Sequence, residues 1–154
     1  MPMPTTLDYE QLDYEHVRVL LEGWTPDPLP TPNWRGLVQE NRPIQGGAPV
    51  PSGNAAEPTM FGAWNLTYDE LDGDYEGATA PVRNGRLTIG LFTEPGAGKG
   101  ALRQIRSELR QLLDAHVADA PIEFDVQLAK TVKVGQTGGG AWFAENFIVP
   151  FVGG

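Results

Sequence analysis

The stretch TEPGAGKGALRQI, residues 93–105, holds glycines and a lysine of the kind that cradle a phosphate. In a phosphate-binding loop, glycines let backbone N–H groups turn onto the phosphates, a lysine reaches the outer ones, and a following Ser or Thr holds magnesium. Gly98 and Lys99 fit that pattern, but Thr93 stands where the first glycine belongs. Gly100 and Ala101 follow the lysine without a hydroxyl, so magnesium has no side-chain ligand. Only about fifty residues follow, too few for the repeated βα units of a nucleotide-binding domain. The loop is expected to serve a sharp strand-to-helix turn, for which glycine is the permissive residue.

Other candidate chemistry is thinner. DGDYEG, 72–77, opens like a calcium loop, but Glu76 takes the fifth position and Arg83 the twelfth, where a bidentate Glu belongs. A solvated acidic turn is the expectation. His16 and His116 lie on separate helical segments with no second ligand at metal spacing. There is no cysteine, and neither serine, Ser52 or Ser107, sits in a nucleophile-elbow setting. No catalytic residue, cofactor or metal site is therefore assigned, and the chain is not read as an enzyme. Lys99, Arg103, Arg106 and Arg110 place 4 of the 11 cationic residues within twelve positions. They form a solvated helix face with local pairing to Glu108, an interface that meets acid from a neighbouring copy such as the 69–76 loop, or a phosphate site.

The elements that position these residues follow from periodicity. Residues 5–22 predict a helix with Thr5 or Thr6 as cap, Asp8 and Glu10 in the first turn, and Tyr14, Val17, Leu20 and Leu21 facing the core. WTPDPLPTP, within the connector 24–32, has too many prolines for a helix or a central strand. A short strand is expected within 34–44, and then a long loop, 45–58. TMFGAWNLTY, 59–68, alternates as a strand does, and an acidic loop over 69–80 separates it from a strand over 82–93, with Asn84-Gly85 as a turn or bulge. Residues 101–117 predict an amphipathic helix with Leu102, Ile105, Leu109, Leu112, Leu113 and Val117 on one face. Strands over 122–134 and 141–152, joined by GQTGGG, complete an α+β fold with an antiparallel or mixed sheet and two main helices.

Length and composition bound the rest. A chain of 154 residues is expected to form one domain, 1–154, and 33 Gly plus Pro residues predict long shaped loops. A net charge of −9 argues against a surface that grips nucleic acid. No apolar run reaches the ~20 residues of a membrane span. The acidic N-terminal segment does not read as a signal peptide, and zero cysteines fit a reducing compartment.

With the elements in order, the chain resembles the tail-terminator (tail-completion) proteins of long-tailed bacteriophages and related gene-transfer particles. The resemblance rests on the N-terminal helix, VQENRPI at 38–44, MFGAWNLTY at 60–68, and RNGRLTIGLFTEPGAGKGALRQIRSELRQLLDA at 83–115. AWFAENFIVPF, 141–151, is similar to the family's last, aromatic-rich strand ending in Pro-Phe. In that family a strand entered through R-x-G runs into a glycine-containing loop and then a helix.

The resemblance implies a subunit of a hexameric ring that caps the tail tube, stops its polymerisation and meets the head-completion proteins, with DNA passing through the hole. It implies a place in the virion's tail or neck, reached from the host cytoplasm during assembly. Its partners would be further copies, the tail-tube protein and a head-completion or connector protein, with no membrane. Six copies at −9 each would carry a formal charge of about −54, so an acidic lumen would repel the DNA backbone. Asp69, Glu70, Asp72, Asp74 and Glu76 are the residues expected to line or rim it. The loop 45–58, through Gly47, Val50, Asn54 and Glu57, is expected to reach a neighbouring ring. The alternatives are another head–tail connector or a tail-tube protein, and a small nucleotide-binding enzyme built on 93–101.

Overall fold

Apolar residues at 102, 105, 109 and 113 recur at the spacing of one helical face, and in the computed structural model all four are buried on one side of a helix. The model describes residues 9–26, 33–39, 59–69, 83–95, 99–115, 122–137, 140 and 142–153. In chain order the elements are α1 (Tyr9–Glu22), β1 (Asn33–Gln39), β2 (Thr59–Tyr68), β3 (Arg83–Thr93), α2 (Lys99–Asp114), β4 (Ile122–Phe124), a single 3-10 turn (Val126–Leu128), β5 (Lys130–Thr137) and β6 (Trp142–Gly153).

Six strands form one mixed sheet in the order β1-β2-β3-β6-β4, with β5 also paired to β6. β1 runs parallel to β2, and every other pairing is antiparallel. The long strand β6 is flanked by β3 along one side. On its other side β4 pairs with Phe151–Gly153 and β5 with Trp142–Ile148. β4 and β5 are thus one ladder partner interrupted by the 3-10 turn, and the ladder carries on into the gap through a bond from Asp125 N–H to Pro150 O at 2.9 Å.

Alternation decides which face is covered. On β2, β3 and β6 the residues Met60, Trp64 and Leu66, Leu87, Ile89 and Leu91, and Phe147, Val149 and Phe151 are buried on one face, with Trp64, Ile89 and Phe147 in one cross-strand row and Leu66, Leu87 and Val149 in the next. Val17 and Leu21 of α1 join them in one core with the buried face of α2. Both helices therefore lie on the same face, α1 over β1 and β2 and α2 over β6 and β5. Tyr14 of α1 tilts against Trp64 of β2, whereas the Arg110 guanidinium of α2 lies over the Phe147 ring of β6. Fully burying each large side chain of this set contributes roughly 1.5–3 kcal/mol before chain entropy is counted.

Single-domain α+β architecture with a mixed sheet and two helices is what the sequence predicts. Three local differences have physical causes. Asn84-Gly85 makes neither turn nor bulge: Gly85 pairs in register with Tyr68 and Phe151 inside a continuous ladder. A Cβ there would collide with Thr67 O and crowd the Phe151 ring, so the glycine serves close strand approach. The strand expected over 122–134 is split, because Val126 turns inward to the core while Leu128 is left exposed. The expected turn at 135–140 begins later, since β5 runs to Thr137 and takes up a bulge between Lys133 and Gly135, where Gly135 has φ +88°.

Candidate functional site

The glycine motif begins inside the sheet. Thr93 is the last residue of β3, buried and paired with Met60 and Phe143. Glu94 is also buried, and its carboxylate accepts the Thr59 N–H at 2.7 Å while its own N–H donates to Thr59 O at 3.1 Å. These reciprocal bonds tie the end of β3 to the start of β2 and fix the point at which the chain leaves for α2. β3 is antiparallel to both neighbours, so the loop after it does not open a parallel βα unit of the kind that phosphate loops occupy. Lys99 is the first residue of α2, and residues 96–98 lie outside the described set.

The cationic residues of α2 do not share one environment. Arg103 is exposed. Arg106 turns to the sheet, with Nε 3.1 Å from Glu145 Oε2 and a terminal nitrogen donating to Thr131 Oγ1 at 3.2 Å. The Nε–H is not aimed at the carboxylate oxygen, so the Arg106–Glu145 contact is coulombic without hydrogen-bond alignment. Glu145 is 6% exposed on the helix-covered face of β6, directly across from Lys133 of β5. Arg110 donates to Val126 O at 3.2 Å, holding the 3-10 turn against α2. Glu108, the local partner considered for the stripe, accepts a bond from Gln104 at 3.1 Å. Half of the stripe is therefore engaged by its own subunit, whereas Arg103 is exposed.

A second polar cluster joins α1 to β2. Asp13 is fully buried and accepts the Tyr68 hydroxyl at 2.9 Å. Burial, then this bond and the Asp13 charge, push the Tyr68 phenol well above its ordinary range. The Tyr14 hydroxyl shares its hydrogen between Leu66 O at 3.0 Å and Asn65 Oδ1 at 3.1 Å. His16, one turn from Asp13, is held below its ordinary value by burial, with the Asp13 charge opposing. No group of three or more His, Asp or Glu side chains placed to hold a metal occurs among the described residues.

Of the residues expected to rim a channel, Asp69 is exposed just past β2 and donates its N–H to Asn84 O at 2.8 Å. Glu70, Asp72, Asp74 and Glu76 lie outside the described residues, as do Gly47, Val50, Asn54 and Glu57 of the loop 45–58, the DGDYEG segment and His116. One group escaped the sequence reading. On the sheet face turned from the helices, Phe61 stacks on Phe92 with centroids 4.7 Å apart, and Trp142 meets Phe61 edge-on at 5.0 Å. These residues occupy the outward positions of strands whose inward positions are also apolar, which blurs the alternation that would have shown them.

No family model matches the sequence, and no curated protein compared with it matches. Four chains of solved structures do match. One of them has a TM-score of 0.60 and 12% sequence identity, over 94% of this chain and 95% of its own. At that identity the likeness is one of fold, spanning nearly the whole of both chains.

Proposed function

We propose that this chain is a tail terminator: a virion subunit that forms a hexameric ring on the tail tube, stops its growth and joins it to the head-completion proteins. The observation that carries this reading is where the resemblance falls. MFGAWNLTY lies along β2, RNGRLTIGLFT is β3, the following helix is α2, and AWFAENFIVPF covers most of β6. Segments scattered over ninety residues of sequence thus become three adjacent strands and the helix packed on them. The net charge of −9 supports the reading from a different side, since a ring of acidic subunits would let DNA pass without adhering.

Electron microscopy of particles made with the gene disrupted is the direct test. A terminator's loss gives tubes of uncontrolled length and heads without tails. Tubes of normal length that fail to join heads would move the chain to the connector, and the absence of tubes would make it a tube subunit. Particles of normal appearance would refute all three.

A further inference from the structure

Large exposed apolar side chains among the described residues fall mostly in two places. Leu12 and Val19 of α1 are 45% and 68% exposed. They are seven residues apart, so they share one face about 10 Å long, turned away from buried Asp13, Val17 and Leu21. Leu128, Val132 and Val134, on the 3-10 turn and β5, are 65%, 43% and 51% exposed. Only Val152 lies elsewhere in that set.

The two patches carry opposite charge. Beside Leu12 and Val19, α1 carries Glu15 and Glu22 at helical spacing against the single cation Arg18, which bonds Glu15 at 2.8 Å, while Asp13 is buried on the other side of the helix. β5 has Lys130 and Lys133, both exposed, and no acid, and Arg103 is exposed on α2 three residues before the Arg106 that bonds Thr131 of β5. They also sit at opposite sides of the sheet. α1 packs over the β1 and β2 side, through Tyr14 on Trp64 and Trp24 edge-on to Trp34, whereas β5 is an outer strand whose only ladder partner among the described residues is β6.

On the reading that this chain forms a ring, we propose that the β5 edge of one copy docks on the outward face of α1 in the next copy. Val132 and Val134 would cover Leu12 and Val19, with Lys130, on the same sheet face as Val132, meeting the acidic flank of the helix; Lys133 stands on the other face, across from Glu145. Two different, complementary patches on opposite sides of a subunit produce a head-to-tail contact, which closes into a ring when the rotation between copies allows. The lysines also disfavour the obvious competitor. Two β5 edges paired with each other would bring Lys130 and Lys133 of both copies together, and like charges on an edge strand block that pairing.

The chain has no cysteine, so paired substitutions report this contact without interference. Val19→Cys and Val134→Cys variants are mixed and oxidised, alone and together, and native mass is measured on the same samples. The contact predicts a cross-link only between the two different variants, and a ladder of covalent oligomers when one chain carries both substitutions. Lys130→Glu should weaken association about tenfold or more, and mixing it with Glu15→Lys/Glu22→Lys should restore it. A cross-link in the Val134→Cys variant alone, or oligomers that form no Val19–Val134 cross-link, would overturn the contact while leaving the ring. A chain that neither oligomerises nor cross-links at any concentration overturns the contact too, and overlong tubes in the disrupted particle would then still uphold the terminator.

Discussion

Arg106 on α2 reaches across to Glu145 on β6, 39 positions later, and brings its Nε to 3.1 Å from a carboxylate oxygen that is itself buried. Removing one partner strands a buried charge, which costs about 3–5 kcal/mol when both groups are enclosed. Arg106 keeps 27% of its side-chain surface exposed, so Arg106→Ala is expected to destabilise by about 2–3 kcal/mol. Arg106→Met with Glu145→Leu should recover most of that loss, because the pair's own attraction largely offsets desolvation. Chemical denaturation of the single and double variants checks this, and additive losses would contradict it.

Tyr68 and Asp13 give the fold a pH dependence at the alkaline end. The folded phenol titrates far above the unfolded value of about 10, so above that pH the unfolded chain releases a proton that the folded chain retains. Stability is therefore full below pH 10 and falls as pH rises beyond it, by at most about 1.4 kcal/mol per unit from this group. Tyr68→Phe should remove that slope while costing about 1–2 kcal/mol at neutral pH, since the buried carboxylate loses a donor. Denaturation midpoints from pH 8 to 11 for the two proteins give the comparison.

Gly85 and Gly62 look alike in sequence and differ in what surrounds them. A Cβ at Gly85 collides with the backbone carbonyl of Thr67, which the β2–β3 ladder holds in place, whereas at Gly62 it collides with the end of the Leu37 side chain and stands 3.3 Å from the Gly90 carbonyl. Gly85→Ala should cost about 2–3 kcal/mol and Gly62→Ala about 1 kcal/mol or less, because a side chain can turn aside and a ladder cannot. Thermal melts that rank the two in reverse would contradict this.

The loop 45–58 is expected to meet a neighbouring ring. Deleting residues 47–56 should leave a subunit that folds with unchanged circular dichroism, since the core and the strands among the described residues lie outside the deletion. Particles carrying it should fail at tail or head joining. Infectious particles at normal yield would remove the loop from the account.

How far the sequence could be read depended on how local each signal was. The bounds of β2 were legible because Met60, Trp64, Leu66 and Tyr68 keep one face despite apolar Phe61 on the other, and the buried side of α2 because Leu102, Ile105, Leu109 and Leu113 recur at helical spacing. Glu145 was not, because a lone carboxylate in an aromatic strand gives no hint of an arginine on a helix 39 residues earlier. The parallel pairing of β1 with β2 also rests on contacts across the connection between them, and periodicity within a strand carries no direction. At the candidate surfaces, the spacing of Arg103, Arg106 and Arg110 marked one side of α2 but could not say that two of them fold back onto β5, β6 and the 3-10 turn.

Native mass over a concentration series, with and without Mg-ATP, separates a ring subunit from a nucleotide-binding enzyme. A ring subunit should form hexamers that carry no nucleotide, with Lys99→Ala behaving as the parent does. A monomer that binds one ATP and loses it on Lys99→Ala would contradict the account and make the glycine loop a nucleotide site after all.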